Sequence, residues 1–193
     1  LITWFVARMI LGHSRIVAPA RLIPLSFFVI YLGLALALVF SPIFRQAARS
    51  IPQNRLIGFQ FVRVGGFVFL ALLDMRLLPP QFALPAGYGD IIVGLTAPLV
   101  VYALNKNKPY SRELAIAWNF LGLLDFLIAL VTGFTFIGPY VRRLARTGQS
   151  IAYLDYVLMI PGFAVPIFVF MHIRSLLDLL KRKGAKTNQV SAL

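Results

Sequence analysis

Long apolar runs separated by short polar connectors make up most of the chain. A helix needs about 20 mostly apolar residues to cross the hydrocarbon core of a bilayer, whereas barrel strands would alternate over segments of roughly 10 residues. The runs here are continuous, so they predict helices. We expect an all-α, polytopic transmembrane helical bundle with five clear spans at about 22–41, 56–73, 88–104, 114–137 and 152–177.

The two ends of the chain lie outside this pattern. Residues 1–12 are apolar apart from Arg8 and too short to cross a bilayer, so they predict an interfacial helix or part of a sixth span. Residues 187–193 are polar and predict a disordered tail. Residues 1–186 are predicted to form a single transmembrane domain.

The composition agrees with a membrane protein and limits the chemistry. The 193 residues are 60% hydrophobic and 13% charged, with a mean hydropathy of +0.84, which is more apolar than soluble domains. The net charge of +13 arises between the apolar runs and near the C-terminus, so it predicts contact with anionic lipid rather than nucleic acid. Because the chain has no cysteine, disulfides, thiolate metal sites and cysteine nucleophiles are excluded.

The basic residues beside the spans predict an orientation, because they collect on the cytoplasmic side. One side receives Arg45, Arg49, Arg55, Lys106, Lys108, Arg112, Lys181, Arg182, Lys183 and Lys186. The other receives Arg15, Arg21, Arg76, Arg142, Arg143 and Arg146. The first side is therefore predicted to be cytoplasmic, and the C-terminus with it. The cluster Arg142, Arg143 and Arg146 reads as a solvated basic loop or as a site for anionic headgroups or a partner.

A charged residue inside the second run is the most informative single position. Arg63 lies well within 56–73, and an arginine alone at mid-membrane costs about 2.5 to 3.5 kcal/mol on insertion scales, so it needs a partner. Gln60 lies on the same helical face. With the predicted orientation, Asn119, Asp125 and His172 fall at similar depth, which predicts an intramembrane polar layer.

Asp125 is the best counter-ion for Arg63, because it shares a stripe with Trp118 and Gly122, whereas Asn119 is rotated by roughly 120° from it. Gly65 and Gly66 follow the arginine and permit close helix approach. Two interpretations stay open for the layer: it fixes the register of the helices, or it is a path for a substrate or protons.

The stretch PAGYGDIIVGLTAP places Gly87, Asp90, Gly94 and Ala97 on one helical face. Asp90 would then lie at the outer end of a small-residue stripe. One interpretation makes it the cap of the helix N-terminus, and the other makes it a cation or ligand site open to the outside.

The last run contains Pro161, Pro166 and His172. Prolines in a span leave backbone groups unpaired, which occurs in transporters and in ordinary membrane helices. His172 and His13 are predicted on opposite sides, which makes bis-histidine haem ligation within one chain poor. The 17 phenylalanines predict helix packing. We therefore expect no cofactor and no metal, with lipid, quinone, carotenoid or haem as weaker alternatives.

At FQFVRVGG, LPAGYGDIIVGLTAP, WNFLGLLD and IPGFAVPIFVFMHIRSL the chain resembles a widespread family of small, uncharacterised multi-pass bacterial membrane proteins. The resemblance covers roughly residues 21–180 and includes Gln60, Arg63, Asp90, Asn119, Asp125 and His172. It implies a multi-pass protein of the bacterial plasma (inner) membrane and brings no known activity.

The sequence lacks the signatures of familiar intramembrane enzymes, among them H-E-x-x-H, G-x-S-x-G and a nucleotide-binding loop. We expect a non-catalytic accessory or assembly subunit that binds partner helices, lipid or a second copy of itself. The alternatives are a small transporter or channel with an intramembrane Arg/Asp/His layer, and a haem or pigment protein.

Overall fold

The computed structural model describes residues 40–148 and 164–190, together with Gly33 and Ile160. These residues contain no strand. The helices are α1 (Pro42–Ser50), α2 (Gln53–Gly58), a 3₁₀ helix (Phe59–Gly66), α3 (Phe67–Asp74), α4 (Pro80–Asn105), α5 (Ser111–Thr132), a π helix (Gly133–Ile137), α6 (Gly138–Arg146) and α7 (Val165–Val190).

Three of the described helical stretches are long and apolar enough to cross a membrane: Gln53–Asp74, Pro80–Asn105 and Ser111–Arg146. The predicted spans 56–73, 88–104 and 114–137 lie within them. The described residues therefore support three candidate spans and not five with a sixth. The predicted span 22–41 and residues 1–12 lie almost wholly outside the described residues, and the span 152–177 is described continuously only from residue 164.

Two helix boundaries differ from the sequence prediction. Helix α4 begins at Pro80 rather than near Tyr88, because proline is favoured in the first turn, where its missing N–H loses no hydrogen bond. The helix from Ser111 continues beyond residue 137, and Gly133 and Gly138 both adopt right-handed helical angles. Residues 138–146, predicted as a loop, are therefore helical.

Helix α7 also differs from its prediction at both ends. It runs on to Val190, so residues 187–190 are helical rather than a disordered tail, and residues 191–193 lie outside the described residues. The α-helical part of α7 begins at Val165, one residue before Pro166, and Ala164 before it is π-helical. Pro161 lies outside the described residues.

The first candidate span contains an eight-residue 3₁₀ helix, Phe59–Gly66, where the sequence predicts ordinary α-helix. Such helices have three residues per turn and seldom exceed four residues. Every third residue therefore lies on one line, and Gln60, Arg63 and Gly66 are the buried residues of this segment. The greater rise of the 3₁₀ helix extends the 22 residues of Gln53–Asp74 to about 37 Å.

Two apolar clusters occupy opposite ends of the bundle. The Trp118 cluster consists of Ile57, Val93, Ala97, Val100, Ala115, Trp118 and Leu179. The Phe82 cluster consists of Phe69, Leu78, Phe82, Ala83 and Ala86. The buried polar side chains come from the 3₁₀ helix, α5 and α7: Gln60, Arg63, Asn119, Asp125, His172 and Ser175.

Candidate functional site

Arg63 is the centre of a buried polar network. Its side chain is 1% exposed and its donors reach three different helices. Nε donates to Oδ1 of Asp90 on α4 at 2.7 Å, Nη1 donates to Nε2 of His172 on α7 at 3.1 Å, and Nη2 donates to Oδ2 of Asp125 on α5. The guanidinium carbon lies 3.9 Å from the centroid of the Phe126 ring, which adds a cation–π contact.

The partners of His172 determine its protonation. Asn119 donates through Nδ2 to the Ala115 carbonyl at 2.7 Å and to Oγ of Ser175 at 2.9 Å, which leaves Oδ1 as its acceptor. Nδ1 of His172 lies 2.9 Å from that Oδ1 and therefore carries a hydrogen. Nε2 carries no hydrogen and accepts from Arg63, because an arginine side chain has only donors and cannot accept a hydrogen bond. His172 is thus neutral, with its hydrogen on Nδ1.

From His172 the network continues toward the beginning of α2. Ser175 accepts from Asn119 and also from Nε2 of Gln53 at 2.6 Å. Gln60, predicted in the same layer as Arg63, is fully buried but donates to the Phe168 carbonyl on α7 at 3.1 Å. It therefore joins the 3₁₀ helix to α7 separately from the arginine.

The charges of the network do not balance when both carboxyl groups are ionised. One arginine then faces two carboxylates, and the neutral His172 adds nothing, so the group carries one surplus negative charge. A buried surplus charge is costly unless a proton or a cation neutralises it. The side chains of Asp90 and Asp125 are 15% and 9% exposed, so Asp90 is the more accessible of the two.

Sequence reasoning predicted the Arg63–Asp125 pair, and the structure contains it. It placed Asp90 wrongly. Helix α4 begins at Pro80 with Pro79 as its N-cap and no side-chain cap, which puts Asp90 about 15 Å into the helix, at the depth of Arg63. Asp90 is therefore a second counter-ion and not a helix cap. The sequence feature that marks this start is the pair Pro79–Pro80, the N-cap and first residue of α4.

Glycines provide the space that the network needs. A Cβ on Gly66, Gly89 or Gly122 would collide with Asp90, Asp125 or His172 respectively. Gly66 thus has the close approach predicted for it, whereas a Cβ on Gly65 would meet nothing within 4 Å. The roles of Gly89 and Gly122 were missed because each faces a helix distant in sequence.

The small-residue stripe on α4 has a packing role as well. Gly87, Gly94 and Ala97 are buried, and a Cβ on Gly94 would come within 2.6 Å of the backbone nitrogen of Val64. This face of α4 therefore packs directly against the backbone of the 3₁₀ helix, and the close packing brings Asp90 to Arg63.

A cavity of about 200 Å³ adjoins the charged part of the network. Arg63 and Asp90 contribute its polar lining, and most of the remaining wall is apolar. The aromatic lining residues are Phe69, Phe126 and Phe168. The network is thus open on one side to a small, mainly apolar space.

The basic cluster Arg142, Arg143 and Arg146 is separate from this network. All three side chains are exposed on α6, and no ion pair involves them among the described residues. The hydroxyl of Tyr140 donates to the Arg76 carbonyl at 3.0 Å. This contact places α6 at the same end of the bundle as Arg76.

A family model described as Domain of unknown function (DUF8737) matches residues 20–180. The chain belongs to this family. The matched region contains every member of the polar network. Neither the curated proteins nor the solved structures contain a match to the chain.

The side chains of the polar network already use most of their hydrogen-bonding atoms on one another, and this limits the chemistry that they can perform. Both ring nitrogens of His172 have partners, so haem or metal ligation would require breaking one contact. A proton relay through the network would have to pass Arg63 and the Asn119 amide, which do not exchange protons as carboxylates and imidazoles do. The described residues contain no group of three His, Asp or Glu placed to hold a metal. The arrangement is suited to holding helices in position.

Proposed function

We propose that the chain is a non-catalytic integral membrane protein, an accessory or assembly subunit that binds partner helices or lipid within the bilayer. One observation carries the proposal: Arg63 is 1% exposed and bonded to α4, α5 and α7 at once. Breaking a buried, paired charge is strongly destabilising, so the network holds the helices in one arrangement and presents a fixed outer surface.

That outer surface is strongly apolar along α5. In the most apolar stretch of Ser111–Arg146 only 11% of the residues are buried, against 33% in each of the other two candidate spans. Large exposed side chains on this helix include Phe120, Leu124, Leu127 and Val131. This face of the bundle is therefore the surface that we propose contacts lipid, partner helices or a second copy of the chain.

The proposed topology is multi-pass in the bacterial plasma membrane, with a cytoplasmic C-terminus and with spans at 22–41 and 152–177, and a partial sixth, in addition to the three candidate spans. Two contacts support the grouping of the connectors at the two ends of the bundle. The Arg112 guanidinium donates to the Leu179 carbonyl at 2.8 and 3.0 Å, which joins two basic segments of the predicted cytoplasmic side. The Tyr140–Arg76 contact joins two of the other side.

Single-cysteine labelling tests the topology, because the chain has no cysteine of its own. Lys108→Cys lies in the connector between α4 and α5, and Met75→Cys lies in the connector before α4. A membrane-impermeant maleimide should label Met75→Cys in intact cells, and Lys108→Cys only after the membrane is opened. Labelling of both positions from outside would refute the crossing of α4.

The binding role is tested by native mass spectrometry of the chain extracted gently from bacterial membranes. We expect bound lipid or a second subunit. Leu124→Lys should remove it, whereas Lys106→Gln, an exposed change outside the bilayer, should not. A monodisperse chain free of lipid and of any partner would contradict the proposal.

A small transporter or channel is the second candidate, and the cavity beside the surplus negative charge favours it. In proteoliposomes such a protein would carry an ion or proton flux that falls with Asp125→Asn. Unchanged flux in that variant would dismiss coupling through the network.

A further inference from the structure

The cavity beside Asp90 has an unmatched carboxylate oxygen. Oδ1 of Asp90 accepts from Arg63, whereas no hydrogen bond reaches Oδ2 among the described residues. Three of the five N–H groups of Arg63 donate to Asp90, His172 and Asp125, and neither of the other two makes a hydrogen bond to this oxygen. A hydrogen-bond donor at this oxygen must therefore come from outside the described residues.

Charge and wall chemistry select the kind of donor. The network has one surplus negative charge when both carboxyl groups are ionised, so a monovalent cation at Asp90 would neutralise it. The walls contain the rings of Phe69, Phe126 and Phe168; Phe126 already faces the Arg63 guanidinium, and these apolar rings favour contact with the hydrocarbon part of an organic cation. An inorganic ion would need several oxygen ligands, and the lining offers carboxylate oxygen from Asp90 alone among its side chains.

Size and depth limit the ligand further. A dry cavity of about 150 Å³ accommodates benzene, and drug-sized ligands need about 300 Å³ or more. A cavity of about 200 Å³ therefore suits one ring or a short alkyl group with an ammonium. Asp90 lies about 15 Å from the first residue of α4, which is too deep for the amine of a lipid headgroup.

We propose that this cavity is a binding site for a small organic monocation, an aryl- or alkylammonium, whose ammonium donates to Asp90 while its apolar part contacts the phenylalanine rings. The site depends on the cavity and the charge balance and not on any partner subunit. The binding site can therefore be tested separately from the proposed role as an accessory subunit.

The probe is benzylammonium, with benzyl alcohol as the neutral compound of nearly the same shape. Titration calorimetry or ligand-observed NMR on the full chain in nanodiscs measures both. We expect saturable binding of benzylammonium, roughly tenfold tighter than benzyl alcohol. Asp90→Asn should remove this preference. Asp178→Asn, which changes the charge equally and whose carboxylate pairs with Arg174 outside the cavity, should keep it.

Three results would overturn the proposal: no saturable binding of benzylammonium, equal affinity for the alcohol, or an unchanged preference in Asp90→Asn. The wild-type comparison of the two probes decides the matter even if Asp90→Asn fails to fold. Binding of lipid or of a subunit, measured separately by native mass spectrometry, is unaffected by any of these outcomes.

Discussion

The polar network has two parts that meet at Arg63 and differ in charge. The neutral arm is the hydrogen-bonded series Gln53, Ser175, Asn119 and His172, in which the Asn119 and His172 contacts fix which atom donates and which accepts. The charged end is Arg63 with Asp90 and Asp125, beside the cavity. The neutral arm has no group that needs an external ion, whereas the charged end has one carboxylate more than its arginine balances.

This difference separates two tasks that a single buried layer performs. Hydrogen bonds between membrane helices contribute about 0.6 kcal/mol on average, so the neutral arm mainly fixes the register and the tautomer of His172. Loss of one member of a buried ion pair costs about 3 to 5 kcal/mol, so the charged end determines whether the helices stay together. The two parts should therefore respond very differently to substitution.

Removal of Arg63 should have the largest effect. Arg63→Met leaves two carboxyl groups buried without their cation, and we expect the free energy of unfolding to fall by about 3 to 5 kcal/mol. SDS titration in mixed micelles, followed by circular dichroism, measures this change. Arg55→Met is the control, because Arg55 is exposed on α2. A loss below about 1 kcal/mol, the range of exposed ion pairs, would show that the charged end does not hold the bundle together.

Crowding the contact between the two parts should have an intermediate effect. Gly122→Ala places a methyl group against the ring of His172, and overpacking of this kind costs about 1 to 3 kcal/mol. Gly65→Ala is the matched control, since its Cβ would meet nothing within 4 Å. The same titration should show no destabilisation in Gly65→Ala. Equal behaviour of the two variants would mean that α5 and α7 do not approach as closely as described.

A change within the neutral arm should have the smallest effect. Ser175→Ala removes the hydroxyl that accepts from both Gln53 and Asn119, and we expect a loss of about 1 kcal/mol. Thr135→Val is its control, because the Thr135 hydroxyl bonds to the carbonyl of Val131 in its own helix. If Ser175→Ala were as damaging as Arg63→Met, the division into a neutral arm and a charged end would be wrong.

The helical class and the Arg63–Asp125 pair could be predicted because they depend on local patterns. Long apolar runs set the helices, and the expected depth of each charge limited its partners. Asp90 could not be placed, because three prolines in 79–85 resemble a connector until the helix is seen to begin at Pro80. The 3₁₀ helix at Arg63 could not be predicted either, because residues three apart share a face in both an α-helix and a 3₁₀ helix.

The partners of the glycines and of His172 depended on tertiary packing. The angle between two helices decides which side chain faces Gly89 or Gly122. The residue pattern of a single helix does not contain that angle. The tautomer of His172 likewise follows only when Asn119 and Arg63 are both in place. Sequence reasoning therefore identified the members of the layer and missed most of the connections among them.

In this account, Arg63 holds the bundle together through two carboxylates, Asp90 and Asp125, that can substitute for each other electrostatically. A double-mutant cycle with Asp90→Asn, Asp125→Asn and the double variant measures this directly by unfolding in micelles. Each single variant leaves Arg63 with one counter-ion, whereas the double variant leaves the arginine without any. The loss in the double variant should exceed the sum of the two single losses by about 1 to 3 kcal/mol. Losses that simply add would contradict the claim.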